Sequence, residues 1–531
     1  MGSTVMRNRS LLRAGIVLAI LVLLNVISVR LFTRADLTRN DLFTLSDASR
    51  DLMRSLDDRV TVRAYFTDDL PAPYNGNRRL LLDQLNEYRA YSAGNFQFEF
   101  IDPTGEKGEQ AAMQEGIVPV QVQTVEEDRF QAKRAFMGLV FLYEDRKEVL
   151  PLVQNMGTLE YDISSTVKRL VTRTRKKVGF LTGHGEPGLN ELTRVQEFLG
   201  KQYDVTTVNV AAGAAVPPDI ALLVVLSPAS RVPETAAFQI DQYLMRGGRA
   251  AFLLNRVEAS LQQQFGRPLE TGLEDLLAAY GVRVNPDLVR DAQCANVSLM
   301  QQQFGFSMQT QVPYPYLPLA SDFSEENMMV KDLQGIVFFF ASSVDTAGAA
   351  AKGLAAEVLV RSSGKSGRQS GFFMLDPLRR YTPEDVAREF GEGGIPLAVM
   401  LRGSFRSAFE GKPAPADTTP GAAPPPASPL TQSPETRIVV VGDGDFVRDQ
   451  TTGNRDNLSF FANMTDFLVD DAGLISIRVK DASMPPLEQV SDGTKAALKY
   501  SNLFVPPLLV LGYGLLRWRV RSARKKALSR G

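Results

Sequence analysis

The stretch "PPDIALLVVLSP" constrains the fold more than any other feature, because every residue from Ile220 to Leu226 is apolar. Successive side chains of a strand point to opposite faces, so a strand here is apolar on both. Such strands belong to sheets covered on both sides, the parallel arrangement of α/β proteins. Pro217-Pro218 and Ser227-Pro228 bound the run, and its neighbours repeat the pattern. Val178-Gly179-Phe180-Leu181, Val205 to Val210 and Ala250 to Leu254 read as further strands. Between them, Leu192, Val195, Phe198 and Leu199 share one helical face, and Phe238, Tyr243 and Leu244 mark a second helix that ends at Arg246-Gly247-Gly248-Arg249. Further on, Leu397 to Leu401 and "RIVVVGDGDFV" read as strands, and "NLSFFANMTDFLV" as a helix aligning Leu458, Phe461, Met464 and Leu468. "GIVFFFASS" at 335–343 reads as a buried strand and "PYPYLPLA" at 313–320 as a loop.

The N-terminal part carries its own α/β pattern. Ser46 is placed to cap a helix in which Leu52, Met53 and Leu56 share a face, and Val60, Val62, Ala64 and Phe66 alternate as a strand. Arg78 to Tyr91 forms a helix with a stripe of Leu81, Leu82, Leu85 and Tyr88, and Phe96, Phe98 and Phe100 form the next strand. Gln131–Tyr143 and Lys147–Leu152 complete a first domain over 35–174. A second α/β domain over 175–480 contains the Pro/Ala-rich stretch 411–434, a loop insertion too poor in apolar residues to pack. With 531 residues, several folding units are expected.

Both ends are basic. Five arginines and no acid lie in 1–34, and seven bases and no acid in 517–531; removing these twelve charges from the formal −1 leaves −13 for 35–516. An acidic body argues against nucleic acid as a partner, since phosphate binding needs a basic face. Each basic end abuts an apolar run, at about 11–32 and at 501–516, with 481–500 as a juxtamembrane linker. The first has no small-residue cleavage pattern after its core and reads as an uncleaved anchor. The second carries Pro506-Pro507 and is followed by "RWRVRSARKK". The expectation is therefore a transmembrane helix at each end in the bilayer, both termini cytoplasmic by the positive-inside rule and the bulk periplasmic, at a bacterial inner membrane.

Gly183-His184-Gly185-Glu186 holds the single histidine of the chain, in a turn between strand and helix. Such turns can present backbone N–H groups to an anion, and His184 could act as a base oriented by Glu186. These four residues are candidates for ligand binding. No catalytic residue is assigned, because Cys294 lies more than a hundred residues away and no G-x-S-x-G elbow occurs, so the loop also reads as a tight structural turn. Asp443 and Asp445 are weak candidates for a divalent cation, since no Ca-loop pattern surrounds them and a polar turn accounts for the same residues. One His and one Cys exclude the usual four-ligand zinc centre. No cofactor is expected. The G-x-x-x-x-G-K-[ST] loop is absent, so ATP hydrolysis belongs to another chain.

The order of motifs, "DLTRNDLFTLSDASRDLMRSLDDRVTVRAYF", "FLTGHGE", "DIALLVVLSP" with "IDQYLMRGGRAAFLL", and "RIVVVGDGDF" with "GNRDNLSFFANMTDFLV", resembles the GldG-type auxiliary components of ABC transport systems, first associated with gliding motility. The resemblance implies an accessory membrane subunit working with a separate permease and ATPase, with no established active site, and a large body held at both ends suits contact with an envelope protein or polysaccharide. It also implies a central domain similar to class I glutamine-amidotransferase-like domains, without their nucleophilic cysteine. The residues alone leave two other readings open, a periplasmic module binding a carbohydrate or other small ligand and a membrane-tethered hydrolase.

Overall fold

The computed structural model describes residues 44–469 apart from 69, 71–73, 127–128, 154–155, 173, 304–305, 332, 417–427 and 452, together with 499, 504, 507–508, 511–515 and 517–522. The chain divides into two compact units, Met1–Ala482 and Ser483–Gly531.

The first unit opens with helix α1 (Asp47–Arg54), capped by Ser46, whose Oγ accepts from the Ser49 N–H at 3.3 Å. Strand β1 (Val60–Phe66), helix α2 (Asn77–Tyr91), strand β2 (Phe96–Ile101), the hairpin of β3 (Met137–Tyr143) and β4 (Arg146–Leu150), and helix α3 (Leu159–Val171) follow. The sheet order is β2-β1-β3-β4, parallel between β1 and β2 and antiparallel elsewhere. Val60, Val62 and Ala64 pack against Leu81, Leu85 and Tyr88 of α2 and Ile163 and Val167 of α3. Leu82, expected in the α2 stripe, is 36% exposed and lies off it. The expected strand Gln131–Tyr143 is two elements, because Arg129–Ala135 leaves the sheet to pair with Val120–Glu126 and only Met137–Tyr143 stays against β1.

The main sheet is built from β5 (Lys177–Thr182), β6 (Asp204–Asn209), β7 (Ile220–Leu226), β8 (Ala250–Leu253), β9 (Asp322–Phe323), β10 (Ala355–Arg361), β11 (Pro396–Arg406) and β12 (Gln432–Val441), in the order β9-β10-β11-β12-β8-β7-β5-β6. Helices α4 (Thr193–Leu199), α5 (Glu234–Met245) and α6 (Arg455–Val469) flank it. The all-apolar run makes both faces of β7 core. Leu222 and Val224 join Val195 of α4 and Phe461 and Met464 of α6 on one face, whereas Leu223 and Val225 join Ile240 and Leu244 of α5 on the other. Burying each such side chain contributes roughly 1.5–3 kcal/mol. Neighbours from β6 to β12 pair parallel, as the apolar runs require. From β12 through β11 and β10 to β9 the pairing is antiparallel, so the sheet is mixed. A connection that returns along the adjacent strand gives antiparallel neighbours, and the stretch between β11 and β12 does this.

Two local expectations are corrected. Residues 313–320 are strand and not loop: they end the fifteen-residue strand Phe306–Ala320, whose partner Cys294–Gln303 bulges between Cys294 and Asn296. Of 335–343 only Ile336–Val337 is strand, after which the chain bends at Phe340, with φ 56°.

The expected transmembrane helix at each end is overturned as a description of this fold. Among the described residues no helix is long and apolar enough to cross a membrane. The run 501–516 offers 16 residues where a bilayer needs ~20. Residues 511–515 and 517–522 are helical, and the latter carry Arg517, Arg519 and Arg521. The run 11–32 lies outside the described residues. The fold class is therefore mixed α/β with several sheets and no spanning helix among the described residues.

Candidate functional site

Five strands in the order β6-β5-β7-β8-β12 form a doubly wound sheet, in which the chain steps from β5 to β6 on one side and then crosses to β7 on the other. Ligands of such sheets enter the crevice at this reversal, outside the carboxyl ends of the strands. Two loops meet there, 183–188 after β5 and 227–233 after β7.

The first loop is the Gly183-His184-Gly185-Glu186 turn. Gly183 and Gly185 have φ of 117° and 78°, and a Cβ on Gly185 would approach Ala229 Cβ to 3.1 Å. Both positions therefore favour glycine. The turn rotates His184 inward, leaving its side chain 7% exposed and that of Glu186 1%. His184 Nδ1 lies 3.0 Å from Glu186 Oε1, and the His184 N–H donates to Glu186 Oε2 at 2.6 Å. Burial works to raise the Glu186 carboxyl, but these hydrogen bonds outweigh it and hold the group below the ordinary carboxylate range. The Ser230 N–H donates to the His184 carbonyl at 2.9 Å and ties the two loops together.

The second loop begins with Ser227, a non-glycine residue at φ 43°, 4% exposed, whose Oγ has no hydrogen-bond partner. It packs beneath Gly444, where a Cβ would lie 2.7 Å from the Leu253 carbonyl and closer still to Ser227 Oγ. Gly444 belongs to the turn after β12, which carries Asp443 and Asp445. Asp443 is fully buried and uses both oxygens on backbone donors, the Phe339 N–H at 2.7 Å and the Asp445 N–H at 2.6 Å. Burial and the neighbouring Asp445 carboxylate push it well above the usual carboxyl range. Asp445 is also raised by burial, opposed by Arg448 and by Asn255, whose Nδ2 donates to Oδ2 at 2.8 Å. Asn255 in turn accepts from the Gly444 N–H at 2.8 Å.

The structure brings Gly183, His184, Gly185 and Glu186 together at the switch point as a closed turn. It places Asp443 and Asp445 at the same edge of the sheet, as braces for the loop at 339 and for Asn255. No group of three or more His, Cys, Asp or Glu side chains suited to a metal occurs among the described residues. No hydroxyl or thiol among them hydrogen-bonds the His184 imidazole, and Cys294 lies in a different sheet with its thiol raised by burial. Ser227, which the sequence marks only as the end of the apolar run, and Asn255 carry no motif of their own. The signal for both was their place immediately beyond apolar strands of a doubly wound sheet.

Comparison with known proteins adds identity to this geometry. Residues 175–471 match a family described as an ABC-type uncharacterized transport system, and residues 39–142 match a domain of unknown function. An uncharacterized protein of Borreliella burgdorferi is 20% identical over 506 residues, spanning 93% of this chain and 94% of its own. Among solved structures, the mmIFT52 N-terminal domain is similar at a TM-score of 0.33 and 12% identity, over 55% of this chain and 96% of its own. PurLQS from Thermotoga maritima is similar at 0.24 and 9%, over 56% of this chain and 100% of its own.

Proposed function

We propose, on the premise that the chain belongs to the ABC-type uncharacterized transport system family, that it is a non-catalytic auxiliary subunit working beside a separate permease and ATPase. The observation that carries the non-catalytic part is the filled switch point. Where a doubly wound sheet would admit a substrate, His184, Ser227 and Asp443 are each at most 5% exposed, Glu186 engages Nδ1 of the imidazole, and backbone N–H groups satisfy the Asp443 carboxyl. A general base needs reach to a proton on a bound substrate, and a buried His–Glu pair with no adjacent nucleophile offers none. The absence of a phosphate-binding P-loop in the sequence agrees with energy supplied by another chain. The finer assignment to the GldG type rests on the ordered motifs of the sequence.

Affinity capture of the tagged full-length chain in mild detergent, followed by mass spectrometry, tests this reading. Recovery of a multi-span permease and a P-loop ATPase in constant proportion is the expected result. Recovery of the chain alone under conditions that preserve its fold would remove the auxiliary-subunit assignment.

A further inference from the structure

A cleft of about 1090 Å³ lies between the first α/β domain and the helices on one face of the main sheet. It is just above the usual size range of small-molecule sites, which favour domain boundaries. Leu150, Phe198, Leu333 and Leu458 supply apolar wall. Five basic side chains, Arg169, Arg175, Lys201, Lys331 and Arg455, and three acidic ones, Glu148, Asp162 and Asp456, line it, an excess of two positive charges.

The acids are occupied within the protein and the bases are only partly so. Glu148 pairs with Arg169 at 3.4 Å. Asp456 Oδ2 accepts from the N–H groups of Gln334 at 2.7 Å and Gly335 at 3.0 Å. Asp162 Oδ2 accepts from Thr158 Oγ1 at 3.0 Å. Arg175 donates to the Gly200 carbonyl at 3.2 Å. Lys201, Lys331 and Arg455 form no ion pair within 4 Å among the described residues, although Lys201 lies 5.9 Å over the Phe198 ring and its charge is felt by Asp162 from beyond that distance. They come from three separate places: the turn after α4, the loop before the Ile336–Val337 strand and the first turn of α6. Cations left unpaired around one apolar-walled cavity match an anion more than a neutral ligand.

We propose that this cleft binds an organic phosphate monoester, with the dianion held by Lys201, Lys331 and Arg455 and the organic body against Phe198 and the leucines. The excess of two charges selects a dianion, and the apolar wall selects an ester over inorganic phosphate. The site lies apart from the switch point, goes beyond the auxiliary-subunit reading and does not rest on it.

Calorimetric titration of the purified full chain tests the inference, with glucose 6-phosphate and dihexanoyl phosphatidic acid as probes and glucose as the neutral control. Saturable binding of at least one phosphate monoester is expected, weakened about tenfold in a Lys201→Gln/Lys331→Gln variant and in Arg455→Gln, while Lys352→Gln, outside the cleft, binds as wild type. Binding of the sugar phosphate points to a soluble source of the ligand, and binding of the short-chain lipid to a membrane source. Failure of both probes, wild-type affinity in both charge-removal variants, or glucose binding as tightly as its phosphate would overturn the inference. The three side chains are exposed, and a melting curve verifies each variant; if one fails to fold, the other carries the test.

Discussion

The crevice after β5 and β7 and the cleft between the two α/β domains both collect polar side chains near apolar walls, but the first is filled and the second open. At the crevice, Glu186 spends its oxygens on His184, and Asp443 spends its own on the Phe339 and Asp445 N–H groups. In the cleft, Lys201, Lys331 and Arg455 form no ion pair within 4 Å among the described residues. On the proposed reading, a motif rich in His, Glu and Gly is a structural joint, and the open cleft sits where no motif is visible.

If the crevice is a packed joint, it should resist added volume most of all. A Cβ on Gly442 would run into the Ser342 carbonyl, and one on Gly444 into Ser227 and the Leu253 carbonyl. Gly442→Ala should cost more than about 3 kcal/mol in chemical denaturation, at the upper limit of overpacking effects, because backbone rather than a side-chain tip must move. Asp443→Ala should cost about 2–3 kcal/mol by leaving two partly buried N–H donors unpaired. His184→Ala should cost less, about 1–2 kcal/mol, because the backbone N–H still holds Glu186.

The same contact has a pH signature. Glu186 is held below its ordinary value of 4.5 in the folded chain, so its stabilisation is fully present above about pH 4.5 and is lost as pH falls through the folded value. Denaturation of wild type and Glu186→Gln across pH 3–7 should show a stability gap that closes on acidification; a gap that widens would break the assignment. The smallest effect belongs to the open region, where Lys201→Gln/Lys331→Gln should change folding stability by no more than about 0.5 kcal/mol while altering anion affinity.

The strands of the main sheet were legible because they are pure. Ile220–Leu226 has no polar residue to blur its period, and "RIVVVGDGDFV" and "NLSFFANMTDFLV" fall where the sequence places a strand and a helix. Helix α3 was not legible, because its buried positions include Glu160, Ser164, Ser165 and Thr166. They are buried through partners distant in sequence: Glu160 Oε1 accepts from the Ser46 N–H and from Ser49 Oγ, both at 2.7 Å, and Ser164 bonds Tyr88 and Ser49. Prolines at 313, 315 and 318 lack the N–H that a strand ladder uses, yet Tyr314 and Tyr316 of that segment are buried and donate to the Leu375 and Met374 carbonyls. The candidate loop was legible as a Gly-permitted turn. What closes it, Ser230 on the next loop and the Asp443 brace to Phe339, spans 46 and 104 residues of sequence and leaves no local pattern.

The most direct measurement is the ATPase rate of the complex captured with the wild-type chain compared with that captured with His184→Ala, each verified as folded. The account predicts the same partners in the same proportion and equal rates, because the imidazole serves the joint and not a reaction. A folded His184→Ala chain that captures the permease and ATPase but abolishes turnover would contradict it.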